Sequence, residues 1–551
     1  MRKLTLTDAS FLISESRQTP MHVGGLNLYT MPDGVNETEY LHDIAKKMRH
    51  RGALRFPFGD ILKMGPFGVY GNIYLERDSA IDMDYHIRHS ALPKPGRYRE
   101  LFVLVSRLHS SLLDRSRPLW EMHLIEGLPN RQFATYFKIH HSVMDGIGAM
   151  HFSDSMLTEN PKQKIEISPF SIEAYDTYKK KLFNSVKAPA SIAPKALTEI
   201  VEDRVGSGTN IAKALQKTAS AWFNGNNGLS TPWLNIPRTA FNEKITGARR
   251  FVAQSWDLER IKKVGKAYDG TLNDAVLAMC SGALRRYLIS QNDLPDGSLK
   301  AMAPVSVRAA GDVDAANAIS FLTADLATNI GDPKERMHAI QRSVSAGKEQ
   351  LRAMTKKEIG LYTILAQSPL ILTILTGTGS KYPAFSTVIS NVPGPRNQMY
   401  FHGSKLDGIY PASIPFEGFA VNFTVVSNCG RLDFGITACR KAAPQLQRLI
   451  DYLEDALVEL EEAVGITPPN SKKASTAKPK AAKAAPKAKS KVAASTTARS
   501  SVKAAPKAKP QTVPKLKVKA EAKAKQKPKR KATIQTGLKR KKGPPKKVAD
   551  K

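Results

Sequence analysis

Alternating and helix-spaced hydrophobic positions interleave along the first 466 residues of the chain. Apolar residues at every second position predict strands, and apolar residues three or four apart predict helices. Strands are predicted at residues 22–29, 119–125, 132–141, 247–252, 301–307, 386–392, 420–427 and 432–438. Helices are predicted at residues 98–113, 258–268, 272–288 and 445–464. Because strands and helices alternate in both halves, the pattern predicts an α/β or α+β fold.

The length of this patterned region predicts two domains, since about 470 residues exceed what one hydrophobic core usually covers. Residues 161–242 lose the pattern and gather Lys, Ser, Ala, Gly and Asn, which is typical of a connection between domains. We therefore expect an N-terminal domain over residues 1–185, a crossover linker over 186–245 and a C-terminal domain over 246–466. The remaining residues, 467–551, form a tail rich in Lys, Ala and Pro.

Most of the positive charge of the chain lies in this tail. Residues 471–551 contain 28 Lys and Arg but 2 Asp and Glu, out of 83 and 49 in the whole chain. The tail has few large apolar side chains and repeats the segment KAAPKAK, so we expect it to be disordered. Its charge would attract an anionic membrane or nucleic acid. The alternative is a solvated tail without a function of its own.

Several features favour a cytoplasmic location. Asp8 interrupts the N-terminus before an apolar run of signal-peptide length forms. The three cysteines are too few for a disulfide framework and fit a reducing compartment. The most apolar stretch, residues 361–376, is interrupted by Pro369 and is shorter than the ~20 residues of a membrane span. We interpret it as a Pro-kinked buried helix or, alternatively, as a segment lying at a lipid interface.

The candidate chemistry lies at the end of the strand predicted at 132–141, in the sequence HHSVMDG. Adjacent residues of a strand point to opposite faces, so only one of His140 and His141 can face a given cleft. Imidazole is the side chain best suited to remove a proton near neutral pH, which makes either histidine a candidate general base. Asp145 would orient a ring or anchor the loop. The alternatives are a buried histidine pair without function and a metal site, although the sequence supplies no third ligand at a suitable spacing.

HHSVMDG resembles the HHxxxDG signature of the CoA-dependent acyltransferase superfamily, and the surrounding sequence is similar to the bacterial wax ester synthase/acyl-CoA:diacylglycerol acyltransferase family. The resemblance runs in order from about residue 4 to residue 465 and leaves only the tail outside. Besides HHSVMDG, it rests on Asp8-Ala9-Ser10-Phe11, Met21-His22-Val23-Gly24-Gly25, Pro118-Leu119-Trp120-Glu121, Asn273-Asp274 and Ser390-Asn391-Val392-Pro393-Gly394-Pro395.

The resemblance implies roles for the residues of HHSVMDG. His141 would be the general base that takes the hydroxyl proton of the acceptor alcohol as it attacks an acyl-CoA thioester, without a covalent enzyme intermediate. His140 would support the site, and Asp145 would hold the turn instead of polarising His141. Gly146 would leave space for backbone or substrate.

Outside this motif, the resemblance implies a hydrogen bond from Asn273 near the reacting centre, although Asn273 and Asp274 also suit the first turn of a helix. Pro118, Leu119 and Trp120 are more typical of packing beside the catalytic strand. The implied fold has two chloramphenicol acetyltransferase-like domains with mixed sheets flanked by helices, and a channel between them that holds His141. No metal or cofactor is expected, and acyl-CoA is a co-substrate.

The implied function is esterification of diacylglycerol to triacylglycerol, and of long-chain fatty alcohols to wax esters, for storage lipid synthesis. The expected partners are acyl-CoA, the lipid acceptor and a peripheral membrane or lipid-inclusion surface at the cytoplasmic face of the inner membrane. Two alternatives stay open. One is an acyltransferase with another alcohol acceptor. The other is a binding protein that coats lipid inclusions or nucleic acid through its basic tail.

Overall fold

The structure is a computed structural model that describes residues 1–50, 52–185, 230, 232–233, 235–306, 319–352, 370, 372–374 and 376–468. All of these residues belong to one compact unit, Met1–Ala477. The tail predicted at 467–551 lies outside the described residues except for 467 and 468. Most of the crossover predicted at 186–245 and most of the apolar stretch 361–376 also lie outside them.

The described chain alternates strands and helices. The strands are β1 (Arg2–Lys3), β2 (His22–Thr30), β3 (Asp60–Met64), β4 (Ile73–Arg77), β5 (Ile87–Ala91), β6 (Trp120–Glu126), β7 (Gln132–His140), β8 (Arg249–Asp257), β9 (Lys300–Ser306), β10 (Ile319–Asp325), β11 (Thr387–Val392), β12 (Tyr400–Phe401), β13 (Ser404–Ala412), β14 (Val421–Asn428) and β15 (Arg431–Cys439). The helices are α1 (Leu6–Ser14), α2 (Glu37–Met48), α3 (Met83–His86), α4 (Tyr98–Ser110), α5 (Gly146–Ser155), α6 (Ile172–Ser185), α7 (Leu258–Ala267), α8 (Leu272–Ser290), α9 (Pro333–Arg352) and α10 (Arg448–Ala463). Short 3-10 helices occupy Gly68–Tyr70 and Ala240–Asn242.

Two six-stranded sheets form the centre of the fold, which confirms the predicted α/β class. The first has the order β12-β13-β2-β7-β6-β5, and the second has the order β10-β9-β11-β14-β15-β8. Both are mixed, because β5 runs parallel to β6 and β11 runs parallel to β9 and β14. Strands β12 and β13 come from the second half of the chain yet complete the first sheet, where β13 pairs with β2. A third, antiparallel sheet has the order β1-β4-β3.

Each large sheet has its own hydrophobic core. Trp120, Phe58 and Phe152 belong to the core of the first sheet, and α8 and α10 pack together over the second. Trp120 is fully buried, stacks on Phe170 and donates its Nε1–H to the Phe58 carbonyl at 2.9 Å. The sequence PLW therefore packs beside the strand that carries the histidine pair, as the sequence predicted.

The predicted strands and helices are confirmed with small shifts at their ends. The helix predicted at 98–113 ends at Ser110, because the backbone becomes extended at Ser111. The Lys138 ammonium accounts for this end, since its Nζ donates to the Leu108 and Ser111 carbonyls at 3.2 and 3.1 Å. The Leu108 carbonyl also accepts the Ser111 backbone N–H at 3.3 Å, so the buried cation adds to the last backbone hydrogen bond of the helix and satisfies the Ser111 carbonyl.

Candidate active site

The histidine pair stands where β7 leaves the first sheet. His140 is the last residue of β7, faces His22 of β2 in the sheet register and donates its backbone N–H to the Leu119 carbonyl at 3.0 Å. The next residue, His141, donates its backbone N–H to the Met21 carbonyl at 2.8 Å. The ends of β2 and β6 therefore hold both backbones, and the chain turns into α5 directly afterwards.

The imidazole of His140 is fully buried, and both of its nitrogens face protein groups. Its Nδ1 accepts the backbone N–H of Ser142 at 3.1 Å and lies 2.7 Å from the Ser142 hydroxyl. Its Nε2 lies 3.3 Å from Oε1 of Glu15. Because Nδ1 accepts hydrogen bonds, the ring proton belongs on Nε2, where it faces the carboxylate. Both nitrogens of this ring are therefore enclosed by protein groups, and the contact of Nε2 with Glu15 is a close charge contact without hydrogen-bond geometry.

Glu15, which follows α1, links both histidines to the rest of the protein. Its Oε1 accepts the Met21 backbone N–H at 3.2 Å, and its Oε2 accepts hydrogen bonds from Nε and Nη2 of Arg115 at 3.1 and 2.9 Å. Burial acts to raise the pKa of Glu15, but the contacts to His140, Met21 and Arg115 outweigh it and lower the pKa. The backbone of Met21 thus connects the two groups: its N–H donates to the Glu15 carboxylate, and its carbonyl accepts the His141 N–H.

The ring of His141 is the free member of the pair. It stacks on Phe11 of α1 with the ring centroids 4.1 Å apart and the planes 21° from parallel. Its Nδ1 is buried and has no hydrogen-bond partner among the described residues. The backbone carbonyl of His141 itself acts to raise the pKa of the ring. Burial lowers the pKa of His141, while the charges of Asp145 and Asp8 act in the opposite direction. The imidazole is therefore neutral near pH 7, as a general base must be.

Asp145 caps the helix that follows the motif. Its side chain accepts the Gly148 backbone N–H at 2.6 Å, in the geometry of an N-cap of α5. A Cβ added to Gly146 would meet nothing within 4 Å, so the first turn of α5 is open at this residue. A Cβ at Gly148 would lie 2.9 Å from the Met144 side chain, and the turn is tightly packed there.

Asn273 and Asp274 lie in the first turn of α8, in the second half of the fold. Asp274 forms a capping box with Thr271, whose backbone N–H and hydroxyl both donate to its Oδ2 at 2.8 and 2.7 Å. Among the described residues, no hydrogen bond joins Asn273 to His141. The structure thus brings together His140, His141 and Asp145 but records no such contact for Asn273, whose role at the reacting centre stays a prediction.

A cavity of about 490 Å³ lies at the opposite end of β7. It is lined by side chains that include Leu28, Gln132 and Trp256. Gln132 and His140 are the two ends of β7, eight residues apart, which corresponds to about 26 Å along a strand. This cavity is therefore separate from the histidine pair.

Two further properties concern metal ions and membranes. In the described ranges, no group of three or more His, Cys, Asp or Glu side chains could hold a metal ion. Within the same ranges, every helix is too short or too polar to cross a membrane.

Glu15, Phe11 and Ser142 complete the site, and none of them was predicted as a functional residue. Phe11 lies within the N-terminal element on which the family resemblance rests, so its place in the sequence could have identified it as a site residue. Glu15 contacts His140 across 125 residues, and Ser142 occupies a variable position of HHxxxDG.

A two-sheet α/β fold with an HHxxxDG histidine at a strand end is typical of acyltransferases with this motif. The profile of the wax ester synthase/diacylglycerol acyltransferase catalytic domain matches residues 4–276, and the profile of the C-terminal domain of the same family matches residues 315–461. This chain belongs to the wax ester synthase/diacylglycerol acyltransferase family.

Individual relatives agree with this assignment. The O-acyltransferase WSD of Acinetobacter baylyi is 38% identical over 465 residues, which cover 84% of this chain and 98% of the relative. A Mycobacterium bovis protein named as a diacylglycerol O-acyltransferase is 41% identical over 467 residues, which cover 83% of this chain and 98% of the relative. The solved wax ester synthase/diacylglycerol acyltransferase from Marinobacter aquaeolei VT8 is 37% identical, covers 84% of this chain and 100% of that structure, and superimposes with a TM-score of 0.66.

Proposed function

We propose that this acyltransferase moves the acyl group of a long-chain acyl-CoA to the free hydroxyl of diacylglycerol, giving triacylglycerol. Long-chain alcohols, which give wax esters, are the second proposed acceptor class. The names of the relatives support this pair of acceptors. The observation that carries the proposal is the difference between the two histidines. His140 contacts Glu15 and Ser142, whereas the neutral ring of His141 contacts neither of them.

In the proposed reaction, Nε2 of His141 removes the proton of the acceptor hydroxyl as its oxygen attacks the thioester carbon. The new C–O bond forms, the C–S bond breaks, and the CoA thiolate takes the proton back from His141. This transfer requires no covalent intermediate and no cofactor. A positioned base of this kind contributes about 10²–10⁴-fold to the rate.

Phe11, His140 and Asp145 position the base in this proposal. Phe11 covers one face of the His141 ring, so the ring plane is fixed. His140 ties the loop to Glu15, and Asp145 starts α5 so that the loop after His141 keeps its shape. Gly146 leaves room at the same turn. Asn273 is proposed as a substrate contact on the strength of the family resemblance alone, and Asp274 as the cap of its helix.

The acceptors also indicate where the protein works. Diacylglycerol and triacylglycerol are insoluble in water, so the acceptor must be met at a membrane or lipid-inclusion surface, which we place on the cytoplasmic side of the inner membrane. The tail, with 28 Lys and Arg among residues 471–551, would add attraction to anionic lipid. Binding of nucleic acid by the tail is the competing prediction.

Transfer of labelled acyl groups from acyl-CoA to diacylglycerol and, in parallel, to hexadecanol tests the proposal. Purified wild-type protein is compared with His141→Ala and with His50→Ala, a control that removes an exposed histidine. We expect ester from the wild type and from His50→Ala, and a loss of about 10²–10⁴-fold in His141→Ala with unchanged circular dichroism. If His141→Ala keeps its rate, His141 is not the base. If the folded wild type forms neither ester, the acceptor is a different alcohol.

A further inference from the structure

The connection between β3 and β4 carries exposed hydrophobic side chains at its tip, which we define as residues 64–68. Phe67 is 79% exposed and Met64 is 39% exposed. Phe56 and Met1, toward the opposite end of the same small sheet, are 36% and 79% exposed. These four residues are a third of the twelve exposed large hydrophobic residues in the described part of the chain. Single exposed apolar residues are ordinary, but Met64 and Phe67 lie on the same turn, which indicates a surface for apolar contact.

The small sheet that supports the tip carries exposed basic side chains. Arg2, Lys3 and Lys63 are all exposed on the sheet that supports it. Arg2 lies over the ring of Phe56 with its guanidinium carbon 4.4 Å from the ring centroid, and Lys63 pairs with Glu76 at 3.0 Å. An aromatic tip with Lys3 and Lys63 beside it, both opposite Tyr74, matches the boundary of an anionic phospholipid layer, where apolar groups enter the acyl region and cations remain among the headgroups.

The tip is connected to the candidate active site through one helix. The 3-10 helix that follows the tip, Gly68–Tyr70, packs on α1, and the α1 residue Phe11 stacks on His141. A hydrophobic cluster containing Leu12 of α1 and Leu62 of β3 also contacts Val143, two residues after His141. The support of the tip and the loop of the base therefore share one apolar core.

We propose that the tip, with Phe67 at its end, is the part of the folded protein that inserts into an anionic phospholipid surface. Insertion places α1 and the His141 loop against the layer that contains the diacylglycerol, so the acceptor has a short path from lipid to base. This inference rests on the proposed function for its purpose, but the insertion itself is measured without any acyl transfer.

Insertion is measured with tryptophan reporters in the full-length chain. Phe67→Trp keeps an aromatic ring at the tip, and Ile289→Trp is the matched control, because Ile289 is 48% exposed at the end of α8. Vesicles of phosphatidylcholine and phosphatidylglycerol contain acyl chains with bromine, which quenches tryptophan at close range, and the signal of the four native tryptophans is subtracted. We expect a blue shift and quenching for Phe67→Trp and neither for Ile289→Trp. If both reporters stay unquenched on vesicle-bound protein, or if both are quenched alike, the proposal is wrong.

Function is measured with Phe67→Ser and the matched Ile289→Ser. At about 1 M salt, where the Debye length of ~3 Å suppresses attraction through the tail, Phe67→Ser should bind the vesicles about tenfold more weakly than the wild type. Its rate with vesicle-embedded diacylglycerol should fall while its rate with a water-dissolved alcohol stays at the wild-type level, and Ile289→Ser should change neither. Equal losses with both acceptors would overturn the proposal. If the wild type forms no ester at all, the proposed function fails, and the tryptophan measurement still decides whether the tip inserts.

Discussion

Replacement of Glu15 by glutamine tests whether the histidine pair is positioned by a buried carboxylate. Glutamine keeps the size of the side chain and can still accept the Met21 N–H, but it removes the negative charge that faces Arg115 and His140. The Glu15 side chain is 2% exposed and that of Arg115 is 30% exposed. Breaking a buried ion pair from one side costs about 3–5 kcal/mol. We expect about 3 kcal/mol of lost stability, the low end, because Arg115 is partly solvated.

Glu15→Gln should also lower kcat of the folded protein, beyond any loss of activity that comes from unfolding. A glutamine NH₂ group turned toward Arg115 would face the two N–H donors of that arginine, so the glutamine side chain must shift. The Met21 backbone, which holds His141, shifts with it. A displacement of about 1 Å in a reacting group can cost up to ~10²-fold. We therefore expect kcat to fall by at least about tenfold, with KM for acyl-CoA unchanged, because Glu15 acts through the histidines and has no substrate contact.

Steady-state kinetics and guanidinium unfolding measure these two effects on the same preparation. Glu243→Gln is the control, since it removes a pair with Lys441 in which both side chains are about 60% exposed, and such surface pairs contribute at most about 1 kcal/mol. Wild-type kcat together with a wild-type unfolding midpoint in Glu15→Gln would refute the positioning role. A lowered midpoint with unchanged kcat would leave Glu15 a purely structural residue.

Two further predictions concern the motif itself. Burial lowers the pKa of His141, so the base should stay neutral as pH falls below the ordinary histidine value of about 6.5. The acid limb of kcat/KM should therefore lie below that pH, and a limb above it in the wild type would contradict a buried neutral base. Asp145→Asn should keep nearly full activity because asparagine also caps helices, while Asp145→Ala should lose about 1 kcal/mol of stability together with activity. Equal losses of kcat in both variants, measured by acyl transfer, would instead show that the charge of Asp145 is needed.

Of the described elements, eight of the fifteen strands and four of the ten helices were predictable, because their hydrophobic spacing is regular. The hairpin of β6 and β7 follows from two apolar runs joined by a turn at Gly127, where φ is +88°. In contrast, the pairing of β13 with β2 joins residues nearly 400 positions apart, and no local signal specifies it. The small sheet β1-β4-β3 was missed for a different reason, since β1 has two residues and β3 and β4 have five each, which is too short for a clear alternation.

The candidate site was predictable to the extent that its chemistry is contiguous in sequence. HHSVMDG contains the proposed base, its buried neighbour and the helix cap, and the local rules for strands and caps apply to all three. Glu15, Phe11 and Arg115 escape those rules, because each reaches the motif through folding and not through spacing. Asn273 shows the reverse case. Its sequence position favoured a helix N-terminus as much as a catalytic contact, and the structure places it at the helix N-terminus.

The geometry of a strand end explains why the motif contains two adjacent histidines. A base must keep one nitrogen free, yet a loop residue with a free ring has little to hold its backbone. His140 resolves this conflict, since its two nitrogens bind Ser142 and Glu15 and thereby fix the strand end. His141, one residue later, faces the other side with its backbone tied to Met21 and its ring resting on Phe11. The first histidine is thus an anchor enclosed by Ser142 and Glu15, which leaves the second for the proposed chemistry.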